Sequence, residues 1–135
     1  MTPIEDPKLG VASSGRSVLL VDDDPLMLNI IQLALNDLDL EIAVCMDGLE
    51  ALDFLKSNMP NLIICENTVP KIDGLSLVRN LIEDHPSNKI PTILLSHRKD
   101  FDLVEQATAL GIAHILQKPL YPAELNAITK HLLSP

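Results

Sequence analysis

From residue 17 to residue 133 the chain alternates two kinds of apolar pattern. Short, almost wholly apolar runs recur at Ser17-Val18-Leu19-Leu20-Val21-Asp22, Leu40-Glu41-Ile42-Ala43-Val44-Cys45, Asn61-Leu62-Ile63-Ile64-Cys65-Glu66, Ile90-Pro91-Thr92-Ile93-Leu94-Leu95-Ser96 and Ile112-Ala113-His114-Ile115-Leu116. They are rich in β-branched residues and continuous rather than alternating, which predicts strands buried on both faces. Between them, apolar residues return at helical spacing. A helix is expected over 25–37, opened by Pro25 behind a capping Asp, with Leu26, Ile30 and Leu33 on its apolar face and Met27, Ile31 and Ala34 beside them. Further helices are expected over 48–58 (Ala51, Leu52, Leu55) and 73–84 (Leu75, Val78, Ile82, stopped by His85-Pro86). The last two are expected over 100–110 (Phe101, Val104, Ala107, with Gly111 as the stop) and 122–133 (Leu125, Ile128, Leu132).

The strands begin at 17, 40, 61, 90 and 112, so each interval holds one strand and one crossover helix. Five such units in succession predict an α/β fold, a doubly wound parallel sheet with helices on both faces, because right-handed crossovers place them there. Residues 1–16 carry Pro and Gly without apolar period and are expected to form a flexible lead-in. The domain is placed at 17–133, with 134–135 left as its end or the start of a linker.

Composition narrows the function. A chain of 135 residues is one domain's worth, and 47% hydrophobic with 21% charged residues is globular. The net charge of −9 argues against sequence-independent binding to nucleic acid or an anionic membrane, both of which need a basic surface. Only Phe54, Phe101 and Tyr121 are aromatic, too few for a base-stacking platform. Cys45 and Cys65 lie in apolar runs without a CxxC motif and read as buried reduced thiols. With no signal-like start and no apolar run of about 20 residues, the expected location is cytoplasmic.

Ligands of a doubly wound sheet bind at the carboxyl ends of its strands. Those ends carry Asp22-Asp23-Asp24, Glu66, Ser96-His97 and Gln117-Lys118-Pro119. Clustered carboxylates suit a hard cation such as Mg²⁺, and a lysine with a hydroxyl suits a phosphoryl group. Taken singly, each has a plainer use: the Asp triplet as a helix cap, the serine as a turn residue, the lysine as a solvated charge.

Residues 17–133 resemble the receiver domain of bacterial two-component response regulators. The resemblance rests on Val18-Leu19-Leu20-Val21-Asp22-Asp23-Asp24-Pro25, Pro60-Asn61-Leu62-Ile63-Ile64-Cys65, Pro70-Lys71-Ile72-Asp73-Gly74, Ile93-Leu94-Leu95-Ser96 and Gln117-Lys118-Pro119, in order and at the family's intervals. It implies a flavodoxin-like (βα)5 domain with strand order 2-1-3-4-5. It also implies a Mg²⁺ pocket from Asp22, Asp23 and the Thr68 backbone carbonyl, with Ser96 and Lys118 as phosphoryl and switch residues. Asp24, His97 and Pro119 flank the site, and the Lys118–Pro119 peptide is expected to be cis.

The sequence departs from the family in three places. The phospho-acceptor position holds Glu66 rather than Asp, and a carboxylate displaced by roughly 1 Å can cost about 10²-fold in a positioned reaction. Glu66 either reaches toward Lys118 and Ser96 as a weak mimic of the phosphorylated state or only pairs with Lys118 and holds the loops. Ile115 stands where the family carries a switching aromatic ring. His97 replaces a small residue and is expected to be a solvent-exposed loop residue; His85, His114 and His131 are read as surface residues.

The expected function is that of an atypical receiver domain in phosphorelay signalling, a protein–protein interaction module and not an enzyme. Its expected partner is a histidine kinase, another receiver or an output domain, met through residues 100–133. The alternatives are a conventional phosphorylatable receiver and a Mg²⁺-dependent phosphatase built on Asp22-x-Asp24.

Overall fold

A computed structural model describes residues 16–87 and 89–134. The chain runs β1 (Ser17–Val21), α1 (Pro25–Ala34), a 3-10 turn (Asn36–Leu38), β2 (Glu41–Cys45), α2 (Gly48–Leu55), β3 (Leu62–Glu66), α3 (Gly74–Asp84), β4 (Thr92–Ser96), α4 (Phe101–Ala109), β5 (His114–Gln117) and α5 (Pro122–Leu132). The five strands form one sheet in the order β2-β1-β3-β4-β5, with every neighbouring pair parallel. The expected fold and strand order are those observed. Of the lead-in expected over 1–16, only Arg16 lies among the described residues. It is held in the domain: its carbonyl accepts from the Glu41 N–H at 2.9 Å, and its guanidinium donates to the Leu38 carbonyl at 3.2 Å.

The continuous apolar runs follow from the double cover. Val18, Leu20, Leu62, Ile64, Ile93 and Leu95 face Leu28 and Ile31 of α1 and Leu125 of α5. Leu19, Val21, Ile63 and Cys65 face Ala51 and Leu55 of α2 and Leu77 and Leu81 of α3. Leu94 joins Leu75, Leu103 and Ala107. Side chains alternate faces along a strand, so with both faces buried the strand middles are apolar, and the buried Glu66, Thr92 and Ser96 fall at strand ends. Central β3 and β4 are buried throughout, whereas the edge strands β2 and β5 are not. Cys45 and Cys65 are buried free thiols, and burial pushes Cys45 up to about 11, out of the reactive range.

Three expected helix faces are corrected. In α1, Leu28 and Ile31 are buried, while Leu26 and Leu33 are 66% and 61% exposed. The helix is apolar on two sides, and the sheet selects the side that its spacing alone did not. In α3 the buried residues include Leu77 and Leu81, and Ile82 is turned outward. In α4, Leu103 and Ala107 are buried and Phe101 is 78% exposed, so the face that meets the sheet is the one carrying Leu103 and Ala107. His85 and His114 are half-buried rather than surface residues; His131 is exposed.

Much of the excess acid at the carboxyl edge is used locally. Asp24, Asp47, Asp73 and Asp100 each cap a helix, accepting from the N–H groups of Leu26, Glu50, Ser76 and Leu103. Each such cap contributes about 1 kcal/mol. Gly111 follows α4 at φ 76°, the left-handed conformation that ends a helix.

The loop from β3 to α3 is fixed against α2. The Pro70 carbonyl accepts from both Ile72 N–H (2.9 Å) and Gly48 N–H (3.1 Å), with Lys71 between them at φ 74°. A Cβ on Gly48 would stand 1.9 Å from the Ile72 carbonyl oxygen, a backbone atom with no rotamer to move. Gly48→Ala is therefore expected to cost about 1–3 kcal/mol, read as a lower urea midpoint at unchanged slope.

Among the described residues, no helix is long and apolar enough to cross a membrane.

Candidate functional site

Parallel register brings two acids together. One step beyond the pair Val21 and Cys65 come Asp22 and Glu66, on neighbouring strands and buried to 1% and 3% exposure. Lys118 follows β5; its N–H donates to the Ser96 carbonyl at 2.8 Å, and the Lys118–Pro119 peptide is cis. Its ammonium lies 3.3 Å from Asp22 Oδ2 and 2.5 Å from Glu66 Oε1. The Oε1 contact is an ion pair rather than an aligned hydrogen bond. Glu66 Oε2 accepts from the Thr68 N–H at 3.0 Å and from the Thr68 hydroxyl at 2.9 Å. Asp22 Oδ1 accepts from the Asp24 N–H at 3.0 Å. All four carboxylate oxygens therefore face donors or a cation within the chain.

This arrangement sets opposite proton affinities on the two acids. Burial raises Glu66, but Lys118 and the two Thr68 donors outweigh it and hold the carboxyl below the ordinary glutamate value. Burial dominates at Asp22 and raises it, against the Asp24 N–H and Lys118. Burial lowers Lys118, but its pairing with Glu66 and Asp22 prevails and keeps the ammonium charged above the ordinary lysine value.

The linkage signs follow. Glu66 contributes stability above its ordinary pKa, and that contribution is lost as pH falls through its lowered folded value. Asp22 works the other way: its buried charge is unfavourable at neutral pH and is relieved as it takes a proton. The Lys118 contribution is present below the ordinary lysine value and is lost as pH rises through the raised one. Carboxyl carbon shifts followed by NMR are expected to show Glu66 titrating below an ordinary glutamate and Asp22 above an ordinary aspartate. The reverse order of shifts would contradict this geometry.

The other expected site residues make contacts of their own. Asp23 is exposed, and Asp24 is occupied as the α1 cap. Ser96 is buried, but its hydroxyl accepts from the Arg98 N–H at 3.1 Å; it makes no hydrogen bond with Glu66. Glu66 thus reaches one of its two expected partners, Lys118, and takes Thr68 in place of the other. His97 is exposed, and its carbonyl accepts from the Gln117 side chain at 3.3 Å. Ile115 is half-buried against Leu75, Leu94, Leu103 and Ala107. Pro119 is exposed.

Asn67 escaped the sequence reading, and of Thr68 only the backbone carbonyl was singled out. Thr68 also donates twice to Glu66, through its N–H and its hydroxyl. Asn67 pins the loop: its N–H donates to Leu95 O, its carbonyl accepts from the Gly74 N–H, both at 2.8 Å, and its side chain accepts from the Leu75 N–H at 3.2 Å. The available signal was Asn-Thr directly after a strand, residue types that hydrogen-bond to nearby backbone.

The donor set here is two buried carboxylates sharing one ammonium. Among the described residues, no group of three or more His, Cys, Asp and Glu is placed to hold a metal ion. The two buried carboxylates already have the Lys118 ammonium between them.

The strand order and the acid–lysine cluster at the carboxyl edge place the chain among doubly wound α/β domains with a charged site at the strand ends. The profile of the response regulator receiver domain matches residues 18–130, and the chain belongs to that family. Response regulator Rre1 of a Synechocystis species is 33% identical over 119 residues, covering 87% of this chain and 52% of the relative. Transcriptional regulatory protein PrrA of Mycobacterium tuberculosis is 35% identical over 116 residues, covering 86% of this chain and 49% of the relative. The chain thus spans about half the length of these relatives. Among solved structures, a putative response regulator from Chloroflexus aurantiacus superposes with a TM-score of 0.80 at 28% identity, covering 89% of this chain and 98% of that one.

Proposed function

We propose that this domain is an atypical receiver, a signalling module that works by protein–protein contact without phosphoryl transfer to residue 66. One observation carries this reading: Glu66 stands at the strand end with Lys118 on one oxygen and Thr68 on the other. A carboxylate so engaged is held in place by its own chain, and its extra methylene moves it from where an Asp would act. The Ser96 hydroxyl, bonded to the Arg98 N–H, is not gathered to it. These contacts favour Glu66 as a fixed structural anion over Glu66 as a mimic of the phosphorylated state.

The proposed partner is a histidine kinase, another receiver or an output domain, and the proposed contact is the surface over 100–133. Support comes from Phe101 and Tyr121, large side chains 78% and 71% exposed on that stretch. A cytoplasmic location belongs to the same reading.

Beryllofluoride, which occupies the place of a phosphoryl group on a receiver aspartate, tests it directly. Titrated in the presence of Mg²⁺, it is expected to leave the amide resonances of Thr68, Ser96 and Lys118 unmoved in the natural chain. Glu66→Asp is expected to restore a saturable shift. Saturable shifts in the natural chain would overturn the reading.

A further inference from the structure

We infer that Lys118 is the resident cation of this site, in the place of a divalent metal, so that the acid pair takes up no Mg²⁺. Asp22 and Glu66 are the two buried carboxylates at the carboxyl edge, and both face the same ammonium. Lys118 is itself buried, its side chain 6% exposed, so it does not swing in solvent like a surface lysine. The remaining carboxylate oxygens are held by backbone and hydroxyl donors of Asp24 and Thr68. Mg²⁺ demands near-octahedral oxygen coordination at short range. To bind here it would have to compete with the ammonium for Asp22 Oδ2 and Glu66 Oε1, the two oxygens that no backbone N–H or hydroxyl holds. The nearby acids give little help: Asp24, Asp47 and Asp73 are committed to helix caps, and Asp23 faces solvent.

The length of Glu66 decides the matter. Its reach brings Oε1 to the ammonium while Oε2 stays on Thr68. An aspartate in the same place retracts the carboxylate by roughly one methylene and loosens that pairing. Removing the ammonium leaves two buried charges with no counter-ion, a site that should recruit a divalent cation.

The test is a thermal melt of the whole chain in MgCl2 against NaCl of matched ionic strength, with no phosphodonor present. A ligand binding only the folded state raises Tm in proportion to ln(1 + [L]/Kd), so a millimolar site in about 10 mM Mg²⁺ shifts Tm by several degrees. The natural chain is expected to show no difference between the salts. Lys118→Met is expected to gain a Mg²⁺-specific rise of several degrees, and Glu66→Asp, which keeps the lysine and so the better chance of folding, is expected to gain a smaller one. A saturable Mg²⁺ shift in the natural chain, abolished by Asp22→Asn, would overturn the inference. Absence of any shift in both variants would overturn it too, since Lys118 would then not be what keeps metal out. Because no phosphodonor is used, a Mg²⁺ shift in the natural chain without beryllofluoride binding would overturn this inference and leave the proposed function standing.

Discussion

Replacement of Lys118 by methionine is expected to destabilise the domain by about 3–5 kcal/mol, the cost of stripping a buried ion pair of one partner. The physical reason lies in the count of charges. Asp22 and Glu66 are both buried, and one ammonium 3.3 Å and 2.5 Å away compensates them. Methionine keeps most of the volume and removes the charge, so the loss is electrostatic rather than a cavity effect. Thermal melts at neutral pH are expected to show Tm lowered by more than about 10 °C. The deficit is expected to shrink as pH falls, because the variant's unpaired acids take protons and cease to be buried charges. A variant as stable as the natural chain at neutral pH would show that the pair is screened by water and that Lys118 is not its counter-ion.

Leu94→Ala comes next in size, at about 2–5 kcal/mol. Leu94 is fully buried in the middle of β4, and it is the strand residue on which Leu75 of α3 and Leu103 and Ala107 of α4 meet, with Ile115 beside them. Truncation removes the apolar transfer energy and leaves a cavity whose walls come from two helices and two strands, which limits collapse. The loss is expected to concentrate on α4 and β5, the elements behind the proposed contact surface. Hydrogen exchange is expected to accelerate there more than in β1, which is covered by other clusters. Uniform acceleration across the sheet would instead mark a single cooperative unit.

The sheet was legible because its physics is one-dimensional. A strand covered on both faces needs apolar residues along its middle, and β3 and β4 carry them, with their buried polar residues at the ends. The helices were legible as elements but not always as faces. Within α1 only Asn29 and Gln32 are polar, so the stripe of Leu26, Ile30 and Leu33 looked as apolar as that of Leu28 and Ile31. Which stripe turns inward depends on the sheet behind it, which no helical spacing encodes. Phe101 misled for the same reason: the side of α4 turned to the sheet is the one carrying Leu103 and Ala107.

The site was legible in its members more than in its bonds. Strand-end position pointed to Asp22, Glu66 and Lys118, and register brings them together. Their partners were not legible, because a hydrogen bond depends on where loop backbone goes. Thr68 reached Glu66 with both its N–H and its hydroxyl through a turn two residues long, while Ser96 was claimed by the Arg98 N–H. Asp24 was the exception: Pro25 behind it announced a helix cap, and a cap is what it forms.

The central claim is that residue 66 carries a fixed carboxylate and not a transferable phosphoryl group. Its most direct test is the intact mass of the natural chain after incubation with acetyl phosphate and Mg²⁺. The mass is predicted to stay unchanged, with Glu66→Asp gaining the mass of one phosphoryl group under the same conditions. A stoichiometric, hydroxylamine-labile phosphoryl adduct mapped to Glu66 in the natural chain would contradict it.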